Sequence, residues 1–139
     1  MADAVTTQTI LDGDRLVIQK FTNISDGTGE TAVVKVDVSA LNPDTYGHAC
    51  NGVKINKIWA QTSGMGVDIL WDATTDVICE SVPADQMYCM SYADFGGISN
   101  NSGAGKTGDV LFSTVGASNG DRYTIILECI KTYANPTTY

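Results

Sequence analysis

The residues best suited to chemistry in this 139-residue chain are few and scattered. The segment Ser102-Gly103-Ala104-Gly105-Lys106-Thr107 imitates a phosphate-binding loop. That motif places a first glycine five residues before the glycine that precedes the lysine, and here Asn100 stands at that position. A phosphate-binding loop also opens a helix, whose N-terminal amides and dipole hold the phosphates. Here Gly108 and the strand-like DVLFST follow, so the stretch reads as a flexible loop rather than a nucleotide site.

The other reactive groups give no clear centre. His48 and Cys50 lie two apart on one loop, without an oxyanion-hole signature, and His48 reads as a solvated loop residue. Asp72 and Asp76 flank a turn, and nothing in the sequence supplies the raised pKa that acid–base work requires. The acidic loops around Asp12-Gly13-Asp14 and Asp26 to Glu30 lack the regular oxygen spacing of a tight calcium site. The cysteines, Cys50, Cys79, Cys89 and Cys129, form no Cys-x-x-Cys pair, which argues against a zinc site. Cys79 and Cys129 lie in apolar strands and read as buried free thiols, while Cys50 and Cys89 lie nearer loops. The expectation is therefore no enzyme, no cofactor and no metal.

Composition narrows the partners. Sixteen acidic residues against eight scattered basic ones give a net charge of −8. With no basic stripe, direct contact with nucleic acid or an anionic membrane is disfavoured. No stretch reaches the roughly 20 apolar residues of a membrane-crossing helix. The N-terminus has neither a basic start nor an apolar run of signal-peptide length, so folding in a host cytoplasm is expected. That compartment argues against a disulfide framework.

The elements that would position these residues read as strands. Gly52 to Asp76 looks like a hairpin of two long strands around Gly64-Met65-Gly66, with Trp59 on one arm and Trp71 on the other. Both tryptophans read as core. Arg15 to Thr22, Asp76 to Ser81, Asp109 to Thr114 and Arg122 to Thr132 are further strands. In the last, Tyr123, Ile125, Leu127 and Cys129 share a face. In Ala32 to Ser39, the alternation puts Val34, Val36 and Val38 inward, with Lys35 and Asp37 outward. Gly116 to Asp121 reads as a hairpin turn.

Residues 1–12 are an N-terminal arm or an edge strand, with Val5, Thr7, Thr9 and Leu11 on one side. Residues 84–93, with Met87, Tyr88, Met90 and Tyr92, are either a strand or an exposed adhesive segment, since Met and Tyr are favoured at subunit contacts. Phe95 to Gly108 is the longest irregular stretch. About eight strands without a helical period predict an all-β, single-domain β-sandwich with jelly-roll or Greek-key connections and little helix. That domain spans residues 13–133, and residues 134–139 form a polar tail.

The stretches MADAVTTQTILDG, KFTNISDGTGE, KVDVSAL, KIWAQTSGMGVDILWDATTD, DFGGISNNSGAGKTGD and RYTIILECIK together resemble a family of small β-rich virion proteins of tailed bacteriophages. The resemblance covers most of the chain and is one of overall pattern, with no catalytic signature. It implies a capsid decoration (cement) protein on the outer surface of the phage head. Its partners would be the major capsid protein and further copies of itself, as a homotrimer or homodimer. The candidate interface residues are Val5, Thr7, Thr9, Leu11, Met87, Tyr88, Met90, Tyr92 and Phe95. Two alternatives stand beside it. One is a tail, neck or fibre component of the virion. The other is a carbohydrate-binding β-sandwich module, which would need Trp59 or Trp71 at the surface.

Overall fold

The computed structural model describes residues 4–133, apart from the side chain of Tyr88. The assigned tail, residues 134–139, and the first three residues of the arm lie outside that range. Among the described residues the chain is all-β, with two single-turn 3-10 segments. Its nine strands are β1 (Ala4–Asp12), β2 (Leu16–Ile24), β3 (Val33–Val36), β4 (Cys50–Ser63), β5 (Gly66–Trp71), β6 (Val77–Val82), β7 (Met87–Ser91), β8 (Val110–Val115) and β9 (Arg122–Tyr133). They form two antiparallel sheets, ordered β1-β2-β9-β4-β7 and β3-β8-β5-β6.

With β1 set aside, β2-β9-β4-β7 faces β3-β8-β5-β6. The chain alternates between layers at nearly every connection, which is the strand order of a jelly roll. Among the described residues, paired successive strands occur only at β1–β2 and β5–β6. The expected hairpin over Gly52 to Asp76 is therefore corrected. β4 pairs with β7 and β9, and β5 with β6 and β8, so the turn between them is an arch from one sheet to the other. The turn at Gly116 to Asp121 is likewise an arch, joining β8 to β9 in the opposite sheet. Turn residues specify a reversal of the chain. Whether the returning strand pairs or changes layer depends on which faces must be buried.

The core is the alternating inner face of both sheets. Val17 and Phe21 of β2, Ile55 and Ile58 of β4, and Ile125 and Leu127 of β9 meet Val67, Ile69 and Trp71 of β5 and Phe112 of β8. The Phe112 ring bridges the layers, 5.3 Å from Phe21 and 5.7 Å from Tyr123, both edge-on. Ile55 and Ile58, three residues apart, both point inward because the ladder with β9 shifts register between Ile55 and Lys57.

Two bulges overturn sequence expectations. In β3 the register shifts between Val34 and Val36. Val34 is left exposed, Val36 and Val38 are buried, and Lys35 turns inward instead of out. Its ammonium lies 2.5 Å from the Glu30 carboxylate, which also accepts bonds from the Tyr123 hydroxyl at 2.6 Å and the Asn23 amide at 2.9 Å. The polar stretch around Glu30 is thus pinned into the sandwich where the chain crosses between sheets, and full hydrogen bonding makes that buried charge tolerable.

Candidate interaction surfaces

The two outermost strands of the five-stranded sheet present most of the candidate residues. Among the described residues β1 pairs only with β2, and the facing sheet has one strand fewer, so β1 overhangs the sandwich. Every residue from Ala4 to Leu11 is exposed, including Val5, Thr7, Thr9, Ile10 and Leu11. The strand has no basic residue and no proline, and its only charge is Asp12 at the end. Among the described residues no strand lies beside the backbone donors and acceptors on its outer side, which makes β1 a template for strand addition.

The shared face expected of Val5, Thr7, Thr9 and Leu11 is corrected. Val5, Thr7 and Thr9 lie opposite Asn23, Phe21 and Gln19, whose side chains point into the sandwich. A register shift then places Leu11 opposite Ile18, on the outer face. One extra residue in the ladder reverses the direction of everything beyond it.

The segment 87–91 is β7, the opposite edge of the same sheet. Met87 and Met90 are exposed, and Phe95, in the 3-10 turn Ala93–Phe95, is exposed with its ring 6.0 Å from Tyr92. The Tyr88 side chain lies outside the described residues. Tyr92 differs from the rest: it is buried, and its hydroxyl donates to Glu80 at 2.5 Å. Three strands separate β1 from β7, so the candidates form two surfaces about 19 Å apart at the usual strand spacing.

Trp71 is core, but Trp59 is not, and its expected burial is corrected. It lies on the outer face of β4 opposite Cys89 and Ile126, with the Lys57 ammonium 5.7 Å from its ring. Trp59, Gln61, Met87, Cys89, Thr124 and Ile126 border a groove of about 380 Å³. The signal for it was Ile126, an apolar residue on the face of β9 opposite Tyr123 and Leu127.

The groups first weighed for chemistry are held by local bonds. His48 Nδ1 lies 2.9 Å from Asp44, whose carboxylate also accepts from the backbone of Tyr46 and His48. Desolvation pushes the Asp44 carboxyl up, but these hydrogen bonds outweigh it and hold it below its ordinary value. Asp72 accepts from the Thr107 hydroxyl at 2.8 Å, and Asp76 from the Ala73 amide at 3.1 Å. Asp12 accepts from Lys131 at 2.6 Å. The Cys79 thiol is pushed up to about 12, first by burial and then by Glu80. Among the described residues, no group of three or more His, Cys, Asp or Glu is placed to hold a metal ion.

No protein-family model matches the chain, and a search of curated proteins finds no similar one.

Proposed function

We propose that this chain is a structural protein of a tailed-bacteriophage virion, a cement protein that docks on the outer surface of the head and stabilises it. The observation that carries this reading is β1, a nine-residue strand exposed along almost its whole length and, among the described residues, paired on one edge alone. An extended strand held out from a rigid sandwich can add to a neighbouring subunit's sheet with little ordering cost. Repeated over a symmetric shell, weak contacts of this kind sum by avidity. The sequence resemblance supports the same reading, and the acidic charge suits a surface that has no contact with packaged DNA. The partners are then the major capsid protein and further copies of the chain, and the role is not enzymatic. A jelly roll serves viral shells and lectins alike, so the fold by itself does not choose between them.

The test is the molar ratio of this chain to the major capsid protein in purified particles, by quantitative mass spectrometry. A simple fraction of the lattice sites is expected, and deleting residues 1–12 should abolish it. A trace ratio moves the protein to a tail, neck or fibre, and complete absence overturns the virion reading.

A further inference from the structure

One end of the sandwich carries a cleft of about 560 Å³, walled by the start of β4, the loop before β8 and the end of β9. Its charge is opposite to that of the molecule. The chain has twice as many acidic as basic residues, yet Lys54 and Lys106 line this cleft and no aspartate or glutamate does. Neither belongs to the ion pairs among the described residues, which join Lys35 to Glu30, His48 to Asp44 and Lys131 to Asp12. Two lysines lining one concavity raise its potential, and a bound anion relieves the repulsion between their charges.

The neutral part of the lining includes two side-chain amides, hydroxyl residues, Val53 and one aromatic ring. The Asn51 side-chain oxygen accepts from the Thr132 hydroxyl at 3.0 Å, and the Asn100 oxygen accepts from the amide and hydroxyl of Ser102 at 3.0 and 2.6 Å. In both residues the amide oxygen is occupied, and the nitrogen, a donor, has no partner among the described residues and is left for a ligand. Ser99 also lines the cleft. Tyr133 closes one side, with its hydroxyl donated to the Asp14 carbonyl, which fixes the ring. The walls are brought together by Gly108, at φ +91, where a Cβ would lie 2.1 Å from the Asn51 carbonyl oxygen. Only glycine permits that approach.

We infer that this cleft binds an acidic saccharide, whose carboxylate or phosphate is taken by Lys54 and Lys106. The amides of Asn51 and Asn100 and the Ser99 hydroxyl suit the sugar hydroxyls, and the Tyr133 ring suits an apolar sugar face. A nucleotide is a poorer fit, since no helix N-terminus meets the Gly105-Lys106-Thr107 segment to hold a phosphate chain. The inference stands apart from the phage-head reading, because the cleft is built by this chain alone.

The test is titration of the ¹⁵N-labelled full chain at low ionic strength, followed by amide chemical shifts. The probes are glucuronate, glucose 6-phosphate, glucose and inorganic phosphate. Saturable shifts at Lys54, Ser99, Asn100 and Lys106 to Gly108 are expected with one or both acidic sugars. The stronger of the two identifies carboxylate or phosphate as the anion. Lys54→Gln and Lys106→Gln should each weaken binding about tenfold, the scale of one lost charge contact. Lys106→Arg should retain it, and the dispersed spectrum reports whether each variant is folded. Equal shifts with inorganic phosphate, an adventitious ion only, overturn the inference. Equal shifts with glucose overturn it too, as do shifts that survive both glutamine substitutions or no shifts at all.

Discussion

Lys131 shows how a single residue closes this molecule. It lies on the inner face of β9, with its side chain fully buried. Its ammonium reaches Asp12 at 2.6 Å, the Gly13 carbonyl at 2.9 Å and the Asn42 carbonyl at 2.8 Å, using all three donors. Burial alone would lower its pKa, but the Asp12 contact outweighs that and leaves the value raised. Replacing it as Lys131→Met leaves Asp12, among the described residues, with only the Asn42 amide as donor, at 2.9 Å, and takes the ammonium from two carbonyls. A loss of about 3 kcal/mol is expected in urea unfolding, since removing one partner of a buried pair costs about 3–5 kcal/mol. A loss below about 1 kcal/mol would show the clamp to be dispensable. The thiols give a second prediction at this scale. Cys89 is exposed, Cys50 and Cys129 are buried, and Cys79 is partly covered, with its pKa pushed up to about 12. A thiol-specific disulfide reagent should therefore label one group rapidly in the native protein, because accessible thiolate sets the rate. Cys89→Ser should remove that fast phase, and its persistence would refute the assignment.

At the scale of elements, the arch between β4 and β5 decides the layering, and Gly64 is its pivot. Its φ is +83, and a Cβ there would lie 2.0 Å from the Asp121 carboxylate in the neighbouring β8–β9 arch. Met65, at the tip, is fully buried. Gly64→Ala is expected to cost about 1–3 kcal/mol in thermal or urea unfolding, from backbone strain and displacement of Asp121. An unchanged midpoint would show that the arch relaxes freely. The edge strand carries a different expectation. Ile10→Lys places a charge on an exposed position of β1, so stability should change by no more than about 0.5 kcal/mol. Under the cement reading, its incorporation into particles should nonetheless fall sharply. Normal incorporation would remove β1 from the docking surface.

These elements also mark how far the sequence could be read. The all-β class and most strands were legible, because period-two alternation in Val67-Asp68-Ile69-Leu70-Trp71 or Tyr123 to Cys129 has few other solutions. The glycine turn at Gly64 was legible as a reversal, but its change of layer was not, since both outcomes use the same residues. The bulges were hidden for the same reason. Lys35 and Leu11 follow a local alternation that one unpaired residue inverts, and only the partner strand reveals it. The candidate interface residues form one group in the sequence, yet the strand order of the sheet divides them between two distant edges. Trp59 was read inward because tryptophan in a strand is usually buried, while the sheet here presents it on the outer face.

For the whole molecule, a few thiols with Lys131 and Tyr133 set how stability falls in alkaline solution. Cys50, Cys129, Lys131 and Tyr133 all have pKa values above their ordinary ones, as does Cys79 in the opposite sheet. For the three thiols the first cause is burial, which disfavours the thiolate. The sign is the same for every member. In the unfolded chain the thiols lose their protons near pH 8.5, whereas the folded chain retains them to higher pH. The native state then binds more protons than the unfolded one, so stability falls as pH rises. Stability linked to these groups is fully present below about pH 8 and is lost progressively above it, with Lys131 and Tyr133 adding their share above about pH 10. Each fully mismatched thiol contributes a slope of about 1.4 kcal/mol per pH unit. Urea unfolding between pH 7 and 11 should therefore show a decline that begins near pH 8.5, steeper than one proton can produce. Cys129→Ala should reduce that slope by about one proton while also lowering absolute stability through the methyl-sized cavity it leaves. A stability flat to pH 10, or a slope indifferent to Cys129→Ala, would mean that water reaches these thiols and that the two sheets open more readily than their packing implies.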